Sequence, residues 1–218
     1  MISGDLFPAS TGHAVQDEPL CEGAMVLRGF ALAEQLRLLQ AIETIVAQAP
    51  FRHLITPGGR RMSVGMTNAG PLGWVSDRRG YRYAALDPDS GKPWPAMPEA
   101  FLQLAGAAAA QAGFAGFVPD ACLINRYQTG NQLTLHQDRD ERDFDQPIVS
   151  VSLGVPAVFL FGGLQRSDRA QRVALAHGDV VVWGGPARLR YHGVLPLRPA
   201  QHQALGHSRI NLTFRRAG

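Results

Sequence analysis

The chain has 218 residues, 45% of them hydrophobic, enough for one domain with a substantial core; no apolar run approaches the roughly 18 residues that suggest a membrane span. Its two cysteines, Cys21 and Cys122, stand far apart in the chain, which argues against a disulfide framework or a structural zinc site and fits a reducing, cytoplasmic setting. A net charge of +3 only weakly favours a polyanionic partner.

The first residues, MISGDLFPAS, have neither the basic start nor the long apolar stretch of a secretory signal. Residues 1 to about 20 show no periodicity and are expected to form a loose arm. GAMVLRGF, 23–30, reads as a short strand. A helix is expected over 31–49, with Leu32, Leu36, Leu39 and Val46 as its apolar stripe and Pro50 as its stop.

Residues 51–95 are rich in glycine, proline and aromatics, with a hairpin expected at Pro57-Gly58-Gly59. From Phe51 to Leu86 there are six arginines (Arg52, Arg60, Arg61, Arg78, Arg79, Arg82) against one acid, Asp77. Phe51, Trp74, Tyr81 and Tyr83 lie among them. Arginines interleaved with aromatics suit phosphate contacts and base stacking, although a solvated, arginine-rich loop fits equally well. A stretch this long with little regular pattern reads as a lid. A second helix should run from Pro98 to about Ala112, with Phe101, Leu102, Ala105 and Ala109 inward and Gly113 as its stop.

From Asp120 the pattern changes. ACLINRY, IVSVSLG, AVFLFGG, DVVVWGG and RINLTFR are short, β-rich and separated by Gly, Pro or Asp. Helices followed by many strands predict an α+β fold, a two-sheet jelly roll with the helices outside. No linker divides it, so residues 1–218 read as one domain with a core over 120–217.

The stretch LTLHQDRDE, 133–141, carries the chemistry. Residues two apart on a strand point the same way, so His136 and Asp138 project together, as two ligands of a non-haem iron facial triad require. Such a pair is weak evidence alone. His192, in RLRYHGV, is the best third ligand. On the last strand Arg209, Asn211, Thr213 and Arg215 share one face and Ile210, Leu212 and Phe214 the other; Asn125 and Tyr127 share a face of ACLINRY. If that arginine face is buried, each guanidinium needs an anion, and a bound dicarboxylate would serve. If it is exposed, the arginines are surface charge. His177 and its Gly178-Asp179 turn read as structural, His13, His53, His202 and His207 as surface residues, and Trp94, Trp183 and Cys122 as packing.

With ACLINRY, LHQDRDE, IVSVSLG, FGG, HGDVVVWGG, YHGV and RINLTFR in place, the chain resembles the Fe(II)/2-oxoglutarate dioxygenases, and more closely the AlkB nucleic-acid demethylases, from about Leu20 to Ala217. The resemblance implies a double-stranded β-helix with an N-terminal nucleotide-recognition lid over 51–95. It implies Fe(II), 2-oxoglutarate and O2 as cofactor and co-substrates, with His136, Asp138 and His192 as metal ligands. Arg209 matches the clamp on the distal carboxylate of 2-oxoglutarate, Asn125 and Tyr127 its helpers, and Asn211 and Arg215 line the same site, Arg215 nearer the metal. Trp74 matches an aromatic that stacks on the damaged base, opposite His136. Thr56, Met66 and Tyr81 match lid positions near the nucleotide, Asp140 an acid beside the exocyclic amine with Arg139 and Glu141 as neighbours, and Arg166 the substrate mouth. Arg60 departs from the tyrosine of the best-known bacterial members and would replace a tyrosine–phosphate contact with an ionic one.

The activity implied is repair of 1-methyladenine and 3-methylcytosine type bases in DNA, single-stranded or with the base flipped out, or in RNA, by a cytoplasmic monomer without membrane attachment. A hydroxylase acting on a small molecule or a protein, and a nucleic-acid binder with a vestigial triad, are the competing readings. The basic aromatic lid argues against the first and the complete ligand set against the second.

Overall fold

Thirteen strands and two helices follow one another in the computed structural model, which describes residues 17–218. They are β1 (Glu18–Cys21), β2 (Ala24–Leu27), α1 (Gln35–Gln48), β3 (Gly65–Ala69), β4 (Gly73–Asp77), β5 (Gly80–Ala84), α2 (Glu99–Gln111), β6 (Ala121–Tyr127), β7 (Leu133–His136), β8 (Ile148–Gly154), β9 (Ala157–Phe161), β10 (Gln171–Leu175), β11 (Val180–Trp183), β12 (His192–Val194) and β13 (Arg209–Arg215). A seven-stranded sheet has the order β1-β2-β11-β8-β13-β6-β3, and a four-stranded sheet the order β10-β9-β12-β7. The strands pair antiparallel throughout both sheets. The fold is α+β, a double-stranded β-helix with its helices outside, as the strand pattern predicts.

Strict alternation along the strands separates two cores. Cys122 and Ile124 of β6, Val149 and Val151 of β8, Val180 and Val182 of β11, and Ile210, Leu212 and Phe214 of β13 face the helices. Leu123 and Tyr127, Val181 and Trp183, and Phe159 and Phe161 fill the space between the sheets. Each fully buried large side chain of this kind contributes roughly 1.5–3 kcal/mol of transfer free energy. The polar face of β13 is therefore directed between the sheets, and Arg209, Asn211, Thr213 and Arg215 are all buried.

Several expectations are corrected. Residues 18–21 form an edge strand paired to β2 instead of a loose arm; residues 1–16, including His13, lie outside the described residues. Helix α1 begins at Gln35, and its buried stripe is Leu38, Ile42 and Ile45. Leu36 is 71% exposed and Leu32 44%, while Leu39 and Val46 are half-buried. Spacings of four and three residues put 38, 42 and 45 on one face. In α2, Leu104 and Ala108 join Phe101, Ala105 and Ala109 inside, and Leu102 is only half-buried. The 51–95 stretch is more regular than its pattern suggests: β3 completes the large sheet beside β6, and β4 and β5 form a separate hairpin. The turn at 57–59 forms as expected, closed by Thr56 N–H donating to the Arg60 carbonyl at 2.9 Å and Gly59 N–H to the Thr56 carbonyl at 2.8 Å.

Candidate metal centre and co-substrate site

The metal-ligating histidines come from two neighbouring strands of the small sheet, β12 and the edge strand β7. β12 runs antiparallel to β7, and His192 is paired directly with His136. Gly193 permits the approach, since a methyl group there would lie 2.7 Å from the Leu133 carbonyl oxygen. The two imidazole centroids are 4.5 Å apart. Asp138, just beyond β7, has Oδ1 3.7 Å from His136 Nε2 and Oδ2 3.6 Å from His192 Nε2. One ligand atom from each of the three residues falls within 4.8 Å of the others, a spacing that one metal ion can bridge.

Both histidines are preset for a metal. His136 Nδ1 is 2.8 Å from the Thr134 carbonyl oxygen, and His192 Nδ1 is 3.0 Å from that of Arg190. A carbonyl only accepts, so each Nδ1 carries the proton and each Nε2 presents its lone pair. Burial and then His192 push the His136 imidazole down to about 4, so it is neutral at physiological pH. Burial would raise the Asp138 carboxyl, but the Arg215 guanidinium against it outweighs this and holds the group well below the usual carboxylate range. Two imidazoles and one carboxylate on one side of a cavity suit a divalent iron with open positions opposite.

The arginines of β13 have different surroundings. Arg215 donates from Nε to Asp138 Oδ2 at 3.0 Å and lies 3.2 Å from Glu141 Oε1, so protein carboxylates balance its charge, while its Nη1 is buried without a hydrogen-bond partner among the described residues. Arg209 is 1% exposed. Its Nε donates to Ser152 Oγ at 2.9 Å, and its guanidinium lies 5.0 Å from the centre of the Tyr127 ring. Its Nη1 is buried with no hydrogen-bond partner among the described residues, and so is the Asn125 side-chain oxygen. Burial pushes the Arg209 guanidinium down and the Tyr127 phenol up to about 12. A buried cation with a spare donor and no anion is a ready seat for a carboxylate. The residues present thus fit iron together with an anionic co-substrate. Asn211 shares the face, but its amide is committed to Ser150 Oγ, the Val151 carbonyl and Thr213 Oγ1.

The other residues expected at the site divide into two groups. Trp74 and Tyr81 stack with centroids 5.5 Å apart and planes 14° from parallel, and Trp74 Nε1 donates to Asp140 Oδ2 at 2.8 Å. Arg139, Asp140 and Arg166 are exposed, and Thr56 is half-buried, its hydroxyl accepting from Arg60 N–H at 3.1 Å. Met66 is buried beside Asn125, its partner in the register of β3 and β6. Glu141 is corrected: it is a buried ion-pair acid, accepting from the Tyr83 hydroxyl at 2.6 Å and from Arg188 Nη2 at 3.0 Å, and does not face an incoming base. Of the six basic residues in the 51–86 stretch, Arg52 pairs with Asp87 and Asp89, and Arg79 and Arg82 with Asp77. Arg60, Arg61 and Arg78 are exposed.

Sequence reasoning missed Arg188, Ser152 and Tyr83. Arg188 donates to the backbone carbonyls of Asp138 at 2.8 Å and Gln146 at 3.0 Å, which shapes the loop after β7. Ser150 and Ser152, two apart in an apolar strand, and Tyr81 and Tyr83, two apart in GYRYA, were readable signals of polar faces. His177 is structural as expected: Nδ1 accepts from Gly154 N–H at 2.9 Å, and Nε2 lies 2.9 Å from Gln35 Oε1. Trp94 and Trp183 are buried, and Trp183 packs 4.9 Å from the His192 ring.

Fold and site define a class, the non-haem iron oxygenases that use 2-oxoglutarate; the model of the 2OG-Fe(II) oxygenase superfamily matches residues 23–215. Over 213 residues the chain is 57% identical to the alpha-ketoglutarate-dependent dioxygenase AlkB of Salmonella typhimurium, covering 98% of this chain and 97% of that protein. It belongs to the AlkB family. It is also 35% identical over 103 residues to the mouse nucleic acid dioxygenase ALKBH1, covering 47% of this chain and 26% of that one. The solved structure of OsALKBH1 superposes with a TM-score of 0.79 at 28% identity, over 92% of this chain and 100% of that one.

Proposed function

We propose that this dioxygenase is an oxidative demethylase of nucleobases. It removes methyl groups from ring nitrogens of the 1-methyladenine and 3-methylcytosine type in DNA, single-stranded or with the base flipped out, and RNA is the second substrate to test. One observation carries the reading: His136, Asp138 and His192 converge on one point, and Arg209, buried on the inner face of β13, has no carboxylate partner among the described residues. The names of the AlkB and ALKBH1 relatives support a nucleic-acid substrate.

Bound Fe(II), 2-oxoglutarate and O2 together supply the oxidation, which puts one oxygen atom on the N-methyl carbon while 2-oxoglutarate leaves as succinate and CO2. The hydroxymethyl group on the base then departs as formaldehyde, restoring the ring nitrogen. The chain's part is placement. His136, Asp138 and His192 would hold the iron, and Arg209 the far carboxylate of 2-oxoglutarate, helped by Asn125 and Tyr127. Arg215 holds Asp138 in its ionised form. Trp74, backed by Tyr81 and tethered through its N–H to Asp140, presents an aromatic surface to the base. A cationic methylated base gains about 0.5–2 kcal/mol against such a ring, and methylation of the pairing edge lowers the cost of extruding it. Asp140 Oδ1 would meet the exocyclic amine, and Arg60, Arg61, Arg78, Arg139 and Arg166 would meet phosphates.

We read the chain as one monomeric, cytoplasmic catalytic unit in which residues 51–95 act as the lid; among the described residues no helix is long and apolar enough to cross a membrane. The test is a methylated oligonucleotide incubated in air with the protein, Fe(II) and 2-oxoglutarate. Formaldehyde should appear with succinate and vanish in His136→Ala. Succinate made equally with and without the oligonucleotide, and no formaldehyde, would refute the reading.

A further inference from the structure

Trp74 and Tyr83 are directly opposed in the β4–β5 hairpin, so they leave it on one face. Their polar tips land on consecutive residues. The indole N–H reaches Asp140 at 2.8 Å and the Tyr83 hydroxyl reaches Glu141 at 2.6 Å. These acids follow the metal ligand Asp138 in the same loop.

Glu141 has a side chain only 2% exposed, and its charge is shared by two guanidinia, Arg188 Nη2 at 3.0 Å and Arg215 Nε at 3.2 Å. The same two side chains hold Asp138. Arg215 fixes its carboxylate through Nε at 3.0 Å, and Arg188 fixes its main chain by donating Nη1 to its carbonyl at 2.8 Å. Each guanidinium thus bridges Glu141 to the metal ligand. Tyr83 is the hairpin's contact with that bridge.

Resting on the reading of the chain as a base demethylase, we propose that Tyr83 and Glu141 are positioning residues that couple seating of the base on the Trp74 face to the geometry of the iron carboxylate. A base pressing on Trp74 shifts the hairpin face that also carries Tyr83. The shift reaches Glu141, and through Arg188 and Arg215 both the side chain and the main chain of Asp138. A short charge-assisted hydrogen bond transmits such a displacement better than an apolar contact, because its energy is directional. In the coupled enzyme, oxidation of 2-oxoglutarate is tied to a seated base.

The experiment measures succinate and formaldehyde in the same reaction, with saturating methylated oligonucleotide, for the native protein, Tyr83→Phe and Glu141→Gln. Tyr83→Phe removes one hydroxyl and keeps the ring. Succinate formed per formaldehyde should rise by about threefold to tenfold in Tyr83→Phe, as expected for partial loss of one hydrogen bond to a charged group, and at least as much in Glu141→Gln. Oligonucleotide affinity, read by fluorescence anisotropy, should change less than the ratio does in Tyr83→Phe. If Glu141→Gln fails to fold because its two arginines lose their charge partner, Tyr83→Phe decides alone. Equal loss of both products at an unchanged ratio, or loss of affinity alone, would overturn the coupling. A native protein that makes succinate but no formaldehyde would instead refute the demethylase reading itself.

Discussion

The two ends of strand β13 carry the same residue in opposite circumstances. Arg209 and Arg215 lie on one face of one strand, both buried between the sheets. Arg215 is enclosed by Asp138 and Glu141. Arg209 has a serine hydroxyl and an aromatic ring and, among the described residues, no carboxylate; the Nη1 of each arginine is unpartnered. A fold tolerates a buried guanidinium only with compensation. At the Arg215 end the chain provides it; at the Arg209 end it is left for something that binds. On the proposed function, the contrast separates a residue that holds the metal ligand in place from one that would receive the co-substrate.

Four substitutions probe that contrast. Arg215→Met should be the most damaging, since it strands Asp138 and leaves Glu141 with Arg188 alone; a loss of about 3–5 kcal/mol in stability, typical of breaking a buried pair, should appear in urea denaturation together with loss of turnover. Arg209→Met should leave the ligand-free protein as stable as before, because no anion is stranded, yet weaken 2-oxoglutarate by about 100-fold or more, as loss of a bidentate charged contact costs roughly 3 kcal/mol; isothermal calorimetry reads this directly. Equal stability losses in the two variants would erase the distinction. Trp74→Ala should raise the KM for methylated oligonucleotide by about tenfold, from lost stacking of roughly 1–3 kcal/mol per base, and leave 2-oxoglutarate binding unaffected. Ser152→Ala should show the smallest effect, a twofold to tenfold weakening of 2-oxoglutarate corresponding to about 0.5–1.5 kcal/mol for one hydrogen bond.

The Arg209 end was far more legible in the sequence than the Arg215 end. Alternation in RINLTFR and ACLINRY assigned both faces correctly, because strands of this length buried on two sides leave little freedom of phase. His136 and Asp138 were readable from their spacing of two, which holds although Asp138 lies just beyond the end of β7. Glu141, the second acid at Arg215, was not, because it and its partner Arg188 lie outside the strands and are brought near only by tertiary folding. The spacing of Tyr81 and Tyr83 was readable, but the Tyr83 contact with Glu141 was not, because that acid lies 58 residues further on in a loop. The stripe of α1 was misread because Leu32 precedes the helix and Leu36 faces out, while Leu38, Ile42 and Ile45 share the buried phase. Apolar identity alone did not set that phase; contact with α2 and the large sheet did.

The most direct test of demethylation is the mass of the substrate itself. Oligonucleotides bearing 1-methyladenine or 3-methylcytosine, incubated in air with the protein, Fe(II) and 2-oxoglutarate, should each lose the mass of one CH2 per methylated base, and remain unchanged when 2-oxoglutarate is omitted. Oligonucleotide masses that stay constant while succinate accumulates would contradict the account and mark the chain as an oxygenase of some other substrate.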